Sequence, residues 1–352
     1  MLRLRFVFLL LAAASAISAQ TGNQLPRVTL KKMVKVFINT QYAAKTKIDT
    51  REYLLVMDTS SCNTITASEE CVGGSCVCPN VRRFHSHNFK LLSPKAEEVT
   101  FFDTGRAVGK AVEVPMSIDE LTSPKQGVVV ADELSQEVCI LSADGVVGMA
   151  PPGCSNHFNL ETVFGNFVKQ GQIAPIFSVH HGRYPDGEHF GEVVFGGSDR
   201  KYMVGELTYV PLVENNSWKF KLDGVRIGDR SIAGGNTQAL IDTSKSIIVG
   251  PEAQISNINK AIGCTPVQKS GLNICEIDCN KIESLPDLVF TIGGKNCNVS
   301  AEYYIQQNGK LCYSGLQPSN IDHYQIGDYF IDHYYIEFNW DKKMIGVVES
   351  RD

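Results

Sequence analysis

Two aspartates in this 352-residue chain stand in matching settings. Asp58 lies in Val56-Met57-Asp58-Thr59-Ser60, and Asp242 lies in Leu240-Ile241-Asp242-Thr243-Ser244, 184 positions later. Each half then returns to a glycine, Val146-Val147-Gly148 and Gln325-Ile326-Gly327, 90 and 85 residues beyond its aspartate. One Asp-Thr-Ser alone would read as a turn whose short side chains bond nearby backbone. Two copies with matched glycines read as a duplicated lobe, each copy offering one carboxyl to a groove between them. Close carboxylates do not both ionise cheaply, so they share a proton and split their pKa values. One then activates a water while the other protonates a substrate carbonyl oxygen, and a peptide bond is hydrolysed without a covalent intermediate.

The elements that would position this pair are strands. KMVKVFIN, YLLVMD, GEVVFGG, LIDTSKSIIVG, DLVFTIGG and HYYIEFNW are short β-rich runs punctuated by Gly, Pro, Asn and Asp, which predicts an all-β fold. One helix is expected within residues 159–172, with Leu160, Val163, Phe164 and Phe167 on one face and Gly171 near its end. The composition is that of a globular protein, 43% hydrophobic and 20% charged, long enough for two lobes. Residues 1–19 read as a secretory signal peptide, with Arg3 and Arg5 ahead of the apolar stretch Phe6–Ile17. That stretch is too short to span a bilayer, and no later segment is long and apolar enough, so a secreted protein without a membrane partner is expected. The net charge is −5, and removal of the two arginines brings it to −7, which argues against nucleic acid as a partner. The lobes are expected at 20–200, carrying Asp58, and at 201–352, carrying Asp242.

The stretches VMDTSS, SADGVVGMAPPG, EVVFGGSD, QALIDTSKSIIVGP, SLPDLVFTIGG and YQIGDYFIDHYYIEF make the sequence resemble the pepsin-like aspartic peptidase family over nearly its whole mature length. Within that family VFINTQYA, ASEECVGGSCVCPN, ADELSQEVCILSADGVVG and HHGRYPDGEHFGE are similar to cockroach aspartic-protease-like allergens. The resemblance implies a bilobal acid-protease fold, Asp58 and Asp242 as the catalytic pair, and Ser61 and Ser246 as the hydroxyls that follow them. It places a flap hairpin near residues 99–109, and makes Asp103-Thr104-Gly105 a decoy because it has no partner in the other half. A peptide or small apolar ligand in the cleft is the implied partner, with host antibodies if the protein is an allergen.

Several positions depart from the active pattern. Ser60 and Ser244 stand where the family has glycine, so a side chain should push groups apart or place new hydroxyls near the shared proton. Phe102 replaces the flap tyrosine, and Ile65 replaces a tryptophan behind it. Lys245 replaces a small hydroxyl residue beside Asp242; turned inward its ammonium would favour ionisation of both aspartates, and turned outward only the hydroxyl is lost. Residues 20–57 are expected to leave no room for a basic prosegment. Peptidase activity is therefore expected to be weak or absent, with an acid-active digestive endopeptidase and a non-cleaving cleft-binding protein as the alternatives.

His180, His181 and His189 share the segment SVHHGRYPDGEHFGE, and Asp328 and Asp332 are four apart at the start of a helical turn, which sets both carboxyls on one side. Two imidazoles and two carboxylates suit tetrahedral zinc. The resemblance implies a structural zinc on His181, His189, Asp328 and Asp332; an inter-lobe hydrogen-bond network without metal is the other reading. In an exported chain the eleven cysteines are disulfides before they are metal ligands. Cys71–Cys76 and Cys264–Cys275 are expected as local pairs, and the resemblance implies Cys279–Cys312. Cys62, Cys78, Cys139 and Cys154 are expected to tie the first lobe in an order the sequence leaves open, with Cys297 as the odd thiol. Asn215-Asn-Ser and Asn298-Val-Ser are glycosylation acceptors.

Overall fold

The computed structural model describes residues 25–35, 39–77, 81–101, 105–135, 143–154, 157–183, 189–269 and 272–351. The predicted signal peptide, Phe102 and Asp103 of the expected flap, and Cys78 and Cys139 lie outside them, as does the side chain of His189.

Among the described residues strands dominate, in sheets of fourteen, seven and four members. Their sequences show why. The hairpin Gly105–Ile118 and Leu121–Leu134 buries alternate residues, Val114, Met116 and Ile118 among them, so one face packs and the other meets solvent. Strand Arg51–Asp58 begins exposed and ends in Leu55-Val56-Met57-Asp58, all buried, because neighbours cover both of its faces there. The predicted helix is present but shorter, Val163–Lys169, capped by the Thr162 hydroxyl accepting from Gly165 N–H.

The duplication seen in the sequence is structural. Strand Arg51–Asp58 pairs in parallel with Gly145–Gly148, setting Asp58 opposite Gly148. Strand Arg230–Ile241 pairs in parallel with His323–Ile326, and the Asp242 N–H donates to Ile326 O at 3.0 Å. Each glycine is needed for close approach: a Cβ on Gly148 would sit 2.6 Å from Ser61 O, and one on Gly327 2.2 Å from Lys245 O.

The fourteen-stranded sheet joins the halves. Ile176–Arg183 from the first half pairs with Tyr334–Asn339 from the end of the chain. Above this floor Phe177 stacks on Phe338 with ring centroids 4.6 Å apart and meets Trp218 edge-on at 5.7 Å. The indole Nε1 of Trp218 donates to Met149 O at 2.9 Å, so the second half is anchored just beyond Gly148 of the first. Four disulfides are described: Cys62–Cys154, Cys71–Cys76, Cys264–Cys275 and Cys279–Cys312, with Cys297 a buried free thiol.

Candidate active site

The two Asp-Thr-Ser turns meet through their threonines. Thr59 N–H donates to Thr243 Oγ1 at 3.2 Å, and Thr243 N–H donates to Thr59 Oγ1 at 3.1 Å. Each hydroxyl then donates across the seam, Thr59 to Ile241 O at 2.8 Å and Thr243 to Met57 O at 2.7 Å. Both hydroxyls thus act as donor and acceptor, and four buried backbone groups are satisfied. The reciprocal lock brings the residues flanking Asp58 and Asp242 together, each aspartate having no exposed surface.

The carboxyls are held alike. Asp58 Oδ1 accepts from Ser60 N–H at 2.8 Å and from the Ser60 hydroxyl at 2.6 Å. Asp242 Oδ1 accepts from Ser244 N–H at 2.9 Å and from its hydroxyl at 2.6 Å. Of the two consequences expected of serine at these positions, the second occurs: new hydroxyls bond the carboxyls directly. Ser61 Oγ donates to Asp58 Oδ2. Hydrogen bonds to a carboxylate favour its charged form, so each added hydroxyl favours ionisation.

Around this pair the other sequence candidates fall into place. Glu97–Phe101 and Gly105–Ile118 form an antiparallel hairpin where the flap was expected, with Phe101 opposite Gly105. Between that hairpin and Asp58 lies a cavity of about 450 Å³ lined by Ser60, Ser61, Asn63, Glu98, Thr100 and His157. Ile65 is fully buried, and Lys245 is half-buried, its N–H donating to Asp242 O at 3.2 Å. Sequence reasoning missed Gln41, whose side-chain amide crosses from the first half to Ser244 O. Nothing in a lone Gln signals such a reach.

The proposed metal ligands converge in part. His181 Nδ1 lies 3.5 Å from Asp328 Oδ1 and 3.3 Å from Asp332 Oδ1. Asp328 opens the short helix Asp328–Ile331, and Asp332 closes it, its N–H donating to Asp328 O at 2.7 Å. His181 and Asp328 are buried, with exposures of 1% and 3%, and His181 stacks on Tyr42 at 3.7 Å. His181 Nε2 and both Asp328 carboxyl oxygens have no hydrogen-bond partner among the described residues. Burial, and then the neighbouring Asp332 charge, push the Asp328 carboxyl well above the usual range. Among the described residues no three donors close on one point as a bound ion would draw them. The set nonetheless fits a cation, since a buried imidazole and carboxyl without partners are costly unless something polar meets them. His180 does not belong to it. It faces the other side of the strand, stacks on Tyr202, bonds Ser350 Oγ at 2.9 Å, and is pushed down to about 4 by burial.

Comparison with known proteins agrees with this geometry. The profile of the eukaryotic aspartyl proteases matches residues 41–350. The chain belongs to that family. It is 56% identical to the aspartic protease Bla g 2 of Blattella germanica, over 99% of both chains. It is 28% identical to cathepsin D of Clupea harengus, covering 97% of this chain and 89% of that one, and 29% identical to pepsin II-2/3 of Oryctolagus cuniculus, covering 89% and 82%. This aspartyl protease homologue therefore has the pepsin-like bilobal architecture expected from its sequence. None of its helices, among the described residues, is long and apolar enough to cross a membrane.

Proposed function

We propose that this protein is a secreted pepsin-like scaffold whose cleft holds a peptide or small apolar ligand and hydrolyses it weakly or not at all. The observation that carries the reading is the pair of serine hydroxyls on the aspartates, Ser60 to Asp58 and Ser244 to Asp242. Hydrolysis needs one carboxylate to take a proton from water and its partner, still protonated, to give one to the carbonyl oxygen. An extra donor on each aspartate stabilises the ionised form of both, which depletes the acid half of the pair. Ser61 and the threonine lock keep the carboxyls oriented, so the cleft retains its shape while losing its proton.

The alternative is an acid-active digestive endopeptidase, favoured by the intact threonine lock and by Ser61 on Asp58. Digestion of denatured casein at acid pH, inhibited by a statine-type compound and abolished by Asp58→Asn, would establish the enzyme and refute the weak-activity reading. Ligand retained through purification without cleavage supports the cleft-binding reading.

His181, Asp328 and Asp332, with His189, would hold a zinc ion: two neutral imidazoles and two carboxylates balance its charge. Bound there, zinc would supply neutralisation of the buried Asp328 and Asp332 carboxyls, which is a structural contribution. Asn215 and Asn298 are exposed, as glycosylation requires. The resemblance to cockroach allergens makes host antibodies an expected partner, tested by immunoglobulin binding to the purified protein.

A further inference from the structure

Helix Glu252–Ala261 sorts its residues by spacing. Ile255 and Ile258 turn into the core, while Ser256, Asn259 and Lys260, at i, i+3 and i+4, share another side. That polar side lines a pocket of about 660 Å³ together with Pro266, Ile274 and the 313–318 segment, and the Cys264–Cys275 disulfide forms part of its wall. Every described residue lining it belongs to the second half, and neither aspartate nor the flap hairpin takes part. It is a different space from the cavity beside Asp58, which is lined from the first half.

The chemistry of the pocket is one-sided. Ile247, Pro266, Ile274, Leu316 and Pro318 give it apolar walls. Asn259 is consumed internally: its Nδ2 donates to Leu316 O at 3.2 Å, and its Oδ1 accepts from Ser314 Oγ at 2.7 Å. The Leu316 N–H donates to the same hydroxyl at 3.2 Å, so this circuit ties helix to strand and shapes the pocket without a ligand. Two donors remain. Lys260 is the one charged residue among the lining residues described, and it makes no ion pair among the described residues. Glu276, next to the lining Cys275, is already held by Lys269 at 2.8 Å. Tyr313 is 2% exposed, and its hydroxyl has no hydrogen-bond partner among the described residues. Burial pushes that phenol up, so it stays a neutral O–H donor.

We propose that this pocket is a second ligand site, separate from the catalytic cleft, for an apolar small molecule carrying one carboxylate. The tail lies on Ile247, Ile274 and Leu316, and the carboxylate is met by the Lys260 ammonium and the Tyr313 hydroxyl. Small-molecule sites are typically apolar pockets of roughly 300–1,000 Å³ with a few placed polar groups, which is the composition here. Donors without a matching acid select an anion, since hydrogen bonds to an ionised acceptor are the stronger ones. Lys260 also lies in the last turn of its helix, where a cation offsets the macrodipole. That role alone would leave ligand affinity untouched when the charge is removed, so the two are separable.

The experiment is calorimetric titration of the mature protein with monomeric dodecanoate, and with dodecanol as its uncharged analogue. Dodecanoate should bind, and dodecanol more weakly. Lys260→Gln should weaken dodecanoate about twofold to fivefold, as for an exposed ion pair, and Lys260→Arg should restore it. Tyr313→Phe should weaken it about twofold to tenfold. Ser256→Trp, at an exposed helix position, fills the pocket and should abolish binding with an unchanged urea midpoint. Thr100→Trp fills the cavity beside Asp58 instead and should leave dodecanoate affinity unchanged. No binding of dodecanoate up to about 1 mM, or binding indifferent to both Ser256→Trp and Lys260→Gln, would overturn the site. Loss of binding in Thr100→Trp would put the ligand in the catalytic cleft, overturning the second site while leaving the cleft-binding reading intact. Equal affinity for dodecanol would overturn the carboxylate assignment.

Discussion

Replacing Thr243 by valine would test the lock that holds the two aspartates together. Valine keeps the shape of threonine, so no cavity opens, but the hydroxyl that donates to Met57 O and accepts from Thr59 N–H is gone. Both backbone groups belong to buried residues on the inter-lobe seam. Leaving a buried backbone group unpaired costs roughly 1–3 kcal/mol, so the substitution should destabilise by about 2–6 kcal/mol. Urea unfolding followed by tryptophan fluorescence suits the measurement, because Trp218 is fully buried and bonded across the same seam to Met149 O. Thr243→Ser, which keeps the hydroxyl, should lose less than half as much. Thr59→Val should match Thr243→Val, since its hydroxyl serves Ile241 O and Thr243 N–H in the mirror arrangement. The double variant should fall short of the sum, as water reaches the remaining groups once the seam opens. A loss below about 1 kcal/mol for Thr243→Val would mean that these groups find other partners, contrary to the seam described above.

Other outcomes follow from the same geometry. Ser60→Gly with Ser244→Gly removes a charge-assisted hydrogen bond of roughly 1.5–3 kcal/mol from each aspartate, and acid peptide hydrolysis should rise at least tenfold. An unchanged pH–rate profile of a fluorogenic peptide would count against the hydroxyls as the cause of weak activity. Burial pushes the Cys297 thiol up to about 12. Because the folded pKa is raised, its contribution is complete below the unfolded thiol pKa and declines as pH rises through the folded one. Between pH 9 and 10.5 the parent should lose about 2 kcal/mol more than Cys297→Val, read as the difference between their urea midpoints. Parallel pH curves would refute the burial argument. Removing Cys279–Cys312, which closes a separation of 33 residues, should cost about 2–4 kcal/mol, and an unshifted midpoint would deny that link a role in stability.

How much of this was legible in the sequence depended on whether a feature repeats. The aspartates, their threonines and the returning glycines occur twice, and a repeat at matched spacing carries its own register. That register reached further than it was taken: Asp58 opposite Gly148 brings Cys62 close to Cys154, so this pairing could have been deduced from the echo. The two local pairs followed from loop length alone, and the third agrees with what the family resemblance implied. The helix was expected too long, because the apolar period continues to Leu160 while the Thr162 cap sets the start at Val163, three residues later. Gln41 and Trp218 were illegible for a different reason. Each acts across the lobes on a partner far away in sequence, and a single polar or aromatic side chain does not announce its partner.

The sheet that joins the halves also sets a timetable. Strand Ile176–Arg183 has one neighbour within reach at once, His189–Phe195, but its other edge is completed only by Tyr334–Asn339. On a ribosome adding about 5–20 residues per second, some 160 residues separate the two, so that edge waits roughly 8–30 seconds for its mate. During export the nascent first half is therefore an open-edged β surface, and chaperone capture should concentrate on this strand until the carboxyl terminus emerges.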